Sequence, residues 1–368
     1  MAVTIDAQQL LAEPLKGQTL TITVTPDSHQ TLVDALKGQA LTIPDLVMLL
    51  YPDWEVKNHE NETQIRDEME NEWCPNPHKR SKLKQGNFAE QAGYFWTGCP
   101  LERLRPLAQF MYWYFIWDDD PEVDCGELTH DREGTEQYTK DTIKFMEWCL
   151  EPENYAPERT KCPIPADAKH NSGCFEDIGR AMQTGHSRGA LRRYAESMYD
   201  FVASVGGVQK QRDTGFPTWD EYLANRVYSI GALPCLMAMD VTIIGVYTVT
   251  NVEASVNDII SFKKEIVDGQ LDSTIPLIMH HHEMTSAQEA LNVAIRDLQR
   301  SRALFDSASD CLTTGFRYRK LDTKTQIDIS VLIQGCKNMM LGNVKWSLSN
   351  QRYLPNEKLD GWKVSFTI

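Results

Sequence analysis

Asn257, Ser261 and Glu265 are spaced four residues apart, so on a helix an amide oxygen, a hydroxyl and a carboxylate align along one face. Three hard oxygen donors in a column suit Mg²⁺, which takes octahedral oxygen coordination and usually completes it with waters and a substrate phosphate. A second oxygen cluster, Asp118-Asp119-Asp120-Pro121-Glu122-Val123-Asp124, follows the aromatic run Tyr112-Trp113-Tyr114-Phe115-Ile116-Trp117. Asp118 and Glu122 lie one helical turn apart with Asp119 adjacent, and their mutual repulsion is relieved when cations bind. Taken alone, this run reads as a solvated acidic helix end. Paired with the first column, it describes a metal site for a phosphorylated ligand.

The elements that carry these residues read as helices. Leu101, Leu104, Leu107, Ala108, Met111, Tyr112 and Phe115 recur at three and four residues, predicting a helix that starts near Pro100 and ends in the carboxylates. Further helices are predicted over residues 138–150, over 175–205 with a stop at Gly206-Gly207, and from Thr218, an N-cap with Glu221 three residues on. Gly231 and Pro234 interrupt that last helix. Residues 241–264 begin β-branched and take on helical spacing as they approach the oxygen column, and two more amphipathic helices follow, through Ala287, Leu291, Ala294, Leu298 and Phe305 and over 327–348. A Pro-rich loop covers 151–172. With no strand-helix alternation the expected fold is all-α, one helical domain over residues 76–368 with residues 1–75 as a lead-in packed on it. The strand-like alternation of Leu20-Thr21-Ile22-Thr23-Val24 is too little to found a sheet.

Composition narrows the function. The 368 residues include 9 Trp, 13 Tyr and 12 Phe, enough for a large core and an aromatic-lined cavity. A net charge of -15 argues against nucleic acid or an anionic membrane surface as partner, so an anionic ligand would need metal ions or a few placed cations. The apolar run near residues 237–249 is broken by Asp240 and Gly245 and falls short of about 18 residues, so no stable membrane association is expected. Nine cysteines without paired C-x-x-C units, and an N-terminus without a signal pattern, predict a reduced, cytoplasmic protein. His280-His281-His282-Glu283 is no metal site on a helix, because consecutive side chains point about 100° apart. Cys74 and His78 lack a partner pair. No G-x-S-x-G, P-loop or G-x-G-x-x-G occurs.

The two oxygen clusters resemble the paired motifs of class I terpene synthases, D-D-x-x-D/E and N-D-x-x-S-x-x-K-E, at Asp118, Asp119 and Glu122 and at Asn257, Asp258, Ser261, Lys264 and Glu265. Trp346-Ser347-Leu348-Ser349-Asn350-Gln351-Arg352-Tyr353 resembles the W-S-x-x-x-x-R-Y ending of fungal and bacterial members. Glu221-Tyr222-Leu223-Ala224-Asn225-Arg226-Val227-Tyr228-Ser229-Ile230-Gly231 resembles the family's helix that carries a diphosphate-sensing arginine and breaks at a small residue. The resemblance runs from about residue 90 to the end and is closest in tone to fungal sesquiterpene synthases. It implies a helical bundle around a central cavity and three Mg²⁺ ions held by Asp118, Asp119, Glu122, Asn257, Ser261 and Glu265. It also implies contacts from Arg226, Lys264, Arg352 and Tyr353 to the diphosphate of a prenyl substrate, with farnesyl diphosphate ionised and cyclised to a sesquiterpene. A carbocation needs a dry site lined by aromatic faces. Tyr114, Phe115 and Trp346 are candidates, with Tyr94 or Phe95 beside them, and each also reads as plain core.

Two features depart from the pattern. Pro121 tends to kink or end the first motif's helix, which leaves Asp118 as the best-placed member. Only 31 residues separate Arg226 from Asn257, about four helical turns fewer than the resemblance leads one to expect, which predicts loss of part of a cavity wall over residues 239–256. A prenyl-diphosphate binder with impaired catalysis therefore stays open, as does a synthase acting on geranyl or geranylgeranyl diphosphate. A chain-elongating prenyltransferase would need a second aspartate-rich motif where Asn257, Ser261 and Glu265 stand. Oligomeric state is open, a homodimer included.

Overall fold

Residues 110–117 offer no polar face to water, and all eight are buried. A helix that is apolar on every side belongs at the centre of a bundle, and the computed structural model, which describes residues 26–73, 83–119, 131–151, 153, 174–212, 216–239 and 246–368, has this architecture. In chain order the elements are α1 (Pro26–Leu36), β1 (Ala40–Ile43), α2 (Leu46–Leu50), α3 (Glu62–Glu68), α4 (Phe88–Phe95), α5 (Leu101–Asp119), α6 (Arg132–Leu150), α7 (Phe175–Gly185) and α8 (Arg188–Arg212). They continue as α9 (Trp219–Ser229), α10 (Ala232–Met237), α11 (Val246–Val267), α12 (Thr274–His281), α13 (Ala287–Thr314), α14 (Thr323–Ser349), β2 (Leu359–Asp360) and β3 (Lys363–Thr367). A π-helical turn, Met69–Trp73, follows α3.

Helices α5 and α11 form the middle. Val249, Val252, Val256, Ile259, Ile260 and Phe262 of α11 are buried, and α11 packs on α9, α10, α12, α13 and α14. Helix α14 changes character along its length. Ile327 and Val331 near its start are exposed, whereas Met339, Met340, Leu341, Val344 and Trp346 are buried. At Gly342 an added Cβ would lie 2.6 Å from Tyr94 Cβ, so the missing side chain is what lets α14 seat closely on α4.

A small sheet, not anticipated from the sequence, ties the lead-in to the end of the chain. β3 pairs antiparallel with β1 on one side and β2 on the other, with Ala40 opposite Thr367 and Ile43 opposite Val364. Leu41, Ile43, Val364 and Phe366 turn inward, which fixes the register through the two-residue period of the strands. The run at 20–24 lies outside the described residues.

The span 175–205 is two helices rather than one, and the second runs on through Gly206 and Gly207. The break falls at His186 and Ser187. The His186 ring pairs with the carbonyls of Met182 at 3.2 Å and Ala238 at 3.0 Å, and Ser187 Oγ accepts from the Ala190 amide at 3.2 Å. Those side-chain bonds end α7 and cap α8, while glycine inside α8 costs only about 1 kcal/mol per residue against alanine. The start of α9 follows expectation. Thr218 and Glu221 form a reciprocal capping box, which satisfies two otherwise orphaned amides. The helix ends where Gly231 adopts a φ of 70°, and α10 begins directly after it.

Two stability predictions follow from α9. Thr218→Ala removes the cap and is expected to lower unfolding free energy by about 1 kcal/mol in chemical denaturation; an unchanged midpoint would refute the cap. Gly231→Ala would bring a Cβ to 2.2 Å from the Tyr114 ring and hydroxyl in a left-handed backbone. The expected loss is about 2–4 kcal/mol, from strain and overpacking together, and a variant as stable as the parent would contradict this packing.

Candidate active site

Helix α11 presents two chemistries on two faces. Asn257, Ser261 and Glu265 share one face, and Asp258, one residue on, is turned about 100° away. Asp258 is completely buried and is met by donors from three directions. Arg226 donates from Nε at 3.0 Å and Nη2 at 2.6 Å, Thr274 from its amide at 3.1 Å and its hydroxyl at 2.6 Å, and Tyr222 from its phenol. Arg226 Nη2 also donates to Asn257 Oδ1 at 2.8 Å, and Asn257 Nδ2 donates to the Tyr353 hydroxyl at 3.1 Å. The 31-residue interval thus brings Arg226 and Asn257 into direct contact. Residues 246–256 of it are helical, and residues 240–245 lie outside the described set.

Ser261 Oγ lies 2.6 Å from both the Asn257 carbonyl oxygen and Glu265 Oε1, so the column is compact. Glu265 Oε2 is buried without a protein hydrogen-bond partner. Burial, reinforced by Asp258 and opposed by Arg226, pushes the Glu265 carboxyl up to about 7. An orphaned carboxylate oxygen beside an amide oxygen and a hydroxyl fits a divalent cation, whose charge would restore the ionised form. Of the acid cluster, Asp118 and Asp119 close α5, and their side chains, with Glu122, lie outside the described residues. Among the described residues no group of three His, Cys, Asp or Glu forms a metal site. His281 Nε2 instead pairs with the Pro217 carbonyl at 2.8 Å, and His280 packs on Phe216.

The column opens on a cavity of roughly 170 Å³. Arg226, Lys264, Arg352 and Tyr353 line it together with Asn257, Ser261 and Glu265. Lys264 is paired with Asp268 at 3.1 Å, and the Arg352 guanidinium lies 4.9 Å from the centre of the Phe115 ring. The remaining wall is aromatic: Tyr114, Phe115 and Trp346 all line the cavity, as does Phe95, while Tyr94 does not. These rings are held rigidly. Tyr114 stacks on Phe201 at 4.4 Å and donates to the Ser229 carbonyl at 3.3 Å, and Trp346 Nε1 donates to the Gly86 carbonyl at 2.7 Å.

Sequence reasoning matched Asp258 and Tyr222 to motifs without giving either a task, and it passed over Thr274, Gln91, Glu253 and Asn343. A signal for Glu253 was present, since it extends the spacing of 257, 261 and 265 by one more turn.

The family model for terpene synthase family 2, C-terminal metal binding, matches residues 109–245 and 246–303. The terpene cyclase braA of Annulohypoxylon truncatum is 27% identical over 351 residues, 88% of each chain. The sesquiterpene cyclase hepA of Aspergillus oryzae is 22% identical over 295 residues, 75% of this chain and 79% of that one. Among solved structures, germacradien-4-ol synthase from Streptomyces citricolor superposes with a TM-score of 0.65 at 16% identity, over 81% of this chain and 97% of that one, which bears on the fold alone. With the all-α bundle and the cavity between α9, α11 and α14 already in view, the chain belongs to the terpene synthase family, lyases with a metal-binding C-terminal domain.

Proposed function

We propose that this protein ionises farnesyl diphosphate and cyclises it to a sesquiterpene, releasing diphosphate. The observation that carries this reading is the lining of one cavity. Oxygen donors and three cationic side chains line it together with Phe95, Tyr114, Phe115 and Trp346. The choice of a fifteen-carbon substrate is supported by the likeness to the sesquiterpene cyclase hepA.

Asn257, Ser261 and Glu265, together with Asp118, Asp119 and Glu122, would hold Mg²⁺, three ions in all. When bound, the metal neutralises charge that develops on the leaving diphosphate. The chain's own contribution is orientation. Asp258 takes two donors of the Arg226 guanidinium, which leaves the rest of its rigid fork for diphosphate oxygens. Lys264 and Arg352 add charge and Tyr353 a hydroxyl in the same cavity. Because Asn257 Oδ1 accepts from Arg226 Nη2, a cation that recruits this oxygen would compete with that hydrogen bond. As the allylic C–O bond breaks, Tyr114, Phe95 and Trp346 present ring faces that attract positive charge without adding to it, and the burial of these rings excludes bulk water.

Incubation of the purified protein with C10, C15 and C20 prenyl diphosphates and Mg²⁺ tests the proposal, with diphosphate release and volatile products as the readouts. The C15 substrate is expected to give a cyclic hydrocarbon or alcohol. Preference for C10 or C20 would replace the substrate, and binding without diphosphate release would make the protein a non-catalytic binder. Asn257→Ala is expected to reduce turnover at least about 10²-fold, since even residues that only orient metal ligands cost 10–100-fold; full activity would remove Asn257 from the site. Asp258→Ala leaves Arg226 an uncompensated, largely buried charge, and should cost about 3–5 kcal/mol of stability besides turnover. A stable and active Asp258→Ala protein would show that Arg226 needs no anchor.

A further inference from the structure

The cavity lining holds further polar residues besides the oxygen column and the cations. Glu253, one turn before Asn257 on α11, Gln91 on α4 and Asn343 on α14 all line the cavity, and they are 4%, 6% and 4% exposed. Glu253 Oε1 and Gln91 Oε1 are buried with no protein hydrogen-bond partner. Asn343 accepts from Ser347 Oγ at 3.2 Å, so it is fixed from behind. None of the three belongs to the metal column or to the cationic group, and their neighbours in the cavity include Phe95, Met111, Tyr114 and Trp346. Leaving such oxygens unsatisfied is costly, and proteins meet that cost with a bound water when the site is roomy and offers two or more polar partners. Gln91 and Glu253 line the same cavity, and each carries one such oxygen.

We propose that Gln91, Glu253 and Asn343 form a water-binding subsite within the hydrocarbon cavity, and that a water held there is delivered to the carbocation so that the enzyme makes a terpene alcohol. The second half rests on the proposed reaction; the first does not. A water that donates both hydrogens, one to Gln91 Oε1 and one to Glu253 Oε1, turns its lone pairs toward the cavity. Attack on the cationic carbon forms a C–O bond from one lone pair, one O–H bond breaks, and the proton ends on the diphosphate released in the same turnover. Carbocation, water and diphosphate thus become alcohol and protonated diphosphate. Burial also drives the Glu253 carboxyl well above the ordinary carboxylate range, which keeps a fixed negative charge from collapsing onto the cation.

A crystal structure of the unliganded protein reads the subsite without turnover. An ordered water within hydrogen-bonding distance of Gln91 Oε1 and Glu253 Oε1 is expected, and a dry wall there overturns the proposal. Turnover of farnesyl diphosphate and Mg²⁺ in H₂¹⁸O reads the delivery step. The parent is expected to give ¹⁸O-labelled alcohol, and the alcohol-to-hydrocarbon ratio should fall about tenfold or more in Glu253→Leu and Gln91→Leu, the size of one lost hydrogen bond. Glu253→Gln, which keeps a hydrogen-bonding group, should retain most of the alcohol. A parent that makes only hydrocarbon, or a ratio unmoved by both leucine variants, overturns delivery. A water in the crystal together with no release of diphosphate would count against the proposed reaction and in favour of the subsite.

Discussion

The site hangs on the carboxylate of Asp258. A fully buried charge is tolerated only when it is paired and its lone pairs are filled, and this one meets both demands through Arg226, Tyr222 and Thr274. Those partners sit on α9 and at the start of α12, so a single side chain of α11 joins three helices at the cavity. Arg226 alone could swing through many rotamers. Held by two of its donors, it is presented with its plane and position fixed before any ligand arrives, which is the condition under which electrostatic stabilisation costs no reorganisation.

The same helix shows how one turn of geometry separates tasks. Residues 257, 261 and 265 line the cavity, whereas 258 and 262 are buried and do not. Moving the motif by one residue would send the column into the core and the anchor into the cavity, so its spacing matters as much as its residue types. At Gly231 the chain makes a comparable choice. Only a residue without a Cβ can occupy that left-handed turn against Tyr114, and α9 ends just before it at Ser229, with Arg226 still inside the last helical turn.

What was legible in the sequence was local. The column, the Thr218 cap and the α5 helix all depend on residues within a few positions of each other, where helix geometry alone decides which side chains meet. What was missed depends on distant partners. Asp258 is explained by Tyr222 and Thr274, 36 and 16 residues away, and the break at His186 by the Ala238 carbonyl, 52 residues on. The sheet joins residues 40–43 to residues 364–367, and four residues of alternation are too short a signal to announce a strand. Glycine spacing misled at Gly206-Gly207, because packing of α8 against α6 and α10 outweighs the intrinsic cost of two glycines in a helix.

The aromatic wall is less uniform than its composition suggests, and this bears on how it meets a cation. Phe115 stacks on Phe88 with centroids 4.0 Å apart and has the Arg352 guanidinium 4.9 Å from its own centre. Its quadrupole is therefore already engaged by a permanent cation, which it helps to orient. A second positive charge close to the same ring would be repelled by Arg352. Under the proposed reaction, the other rings of the lining, Tyr114, Phe95 and Trp346, would meet the carbocation in preference to Phe115. In that reaction Arg352 would do two things with one charge: attract the diphosphate, and steer positive charge in the hydrocarbon away from Phe115.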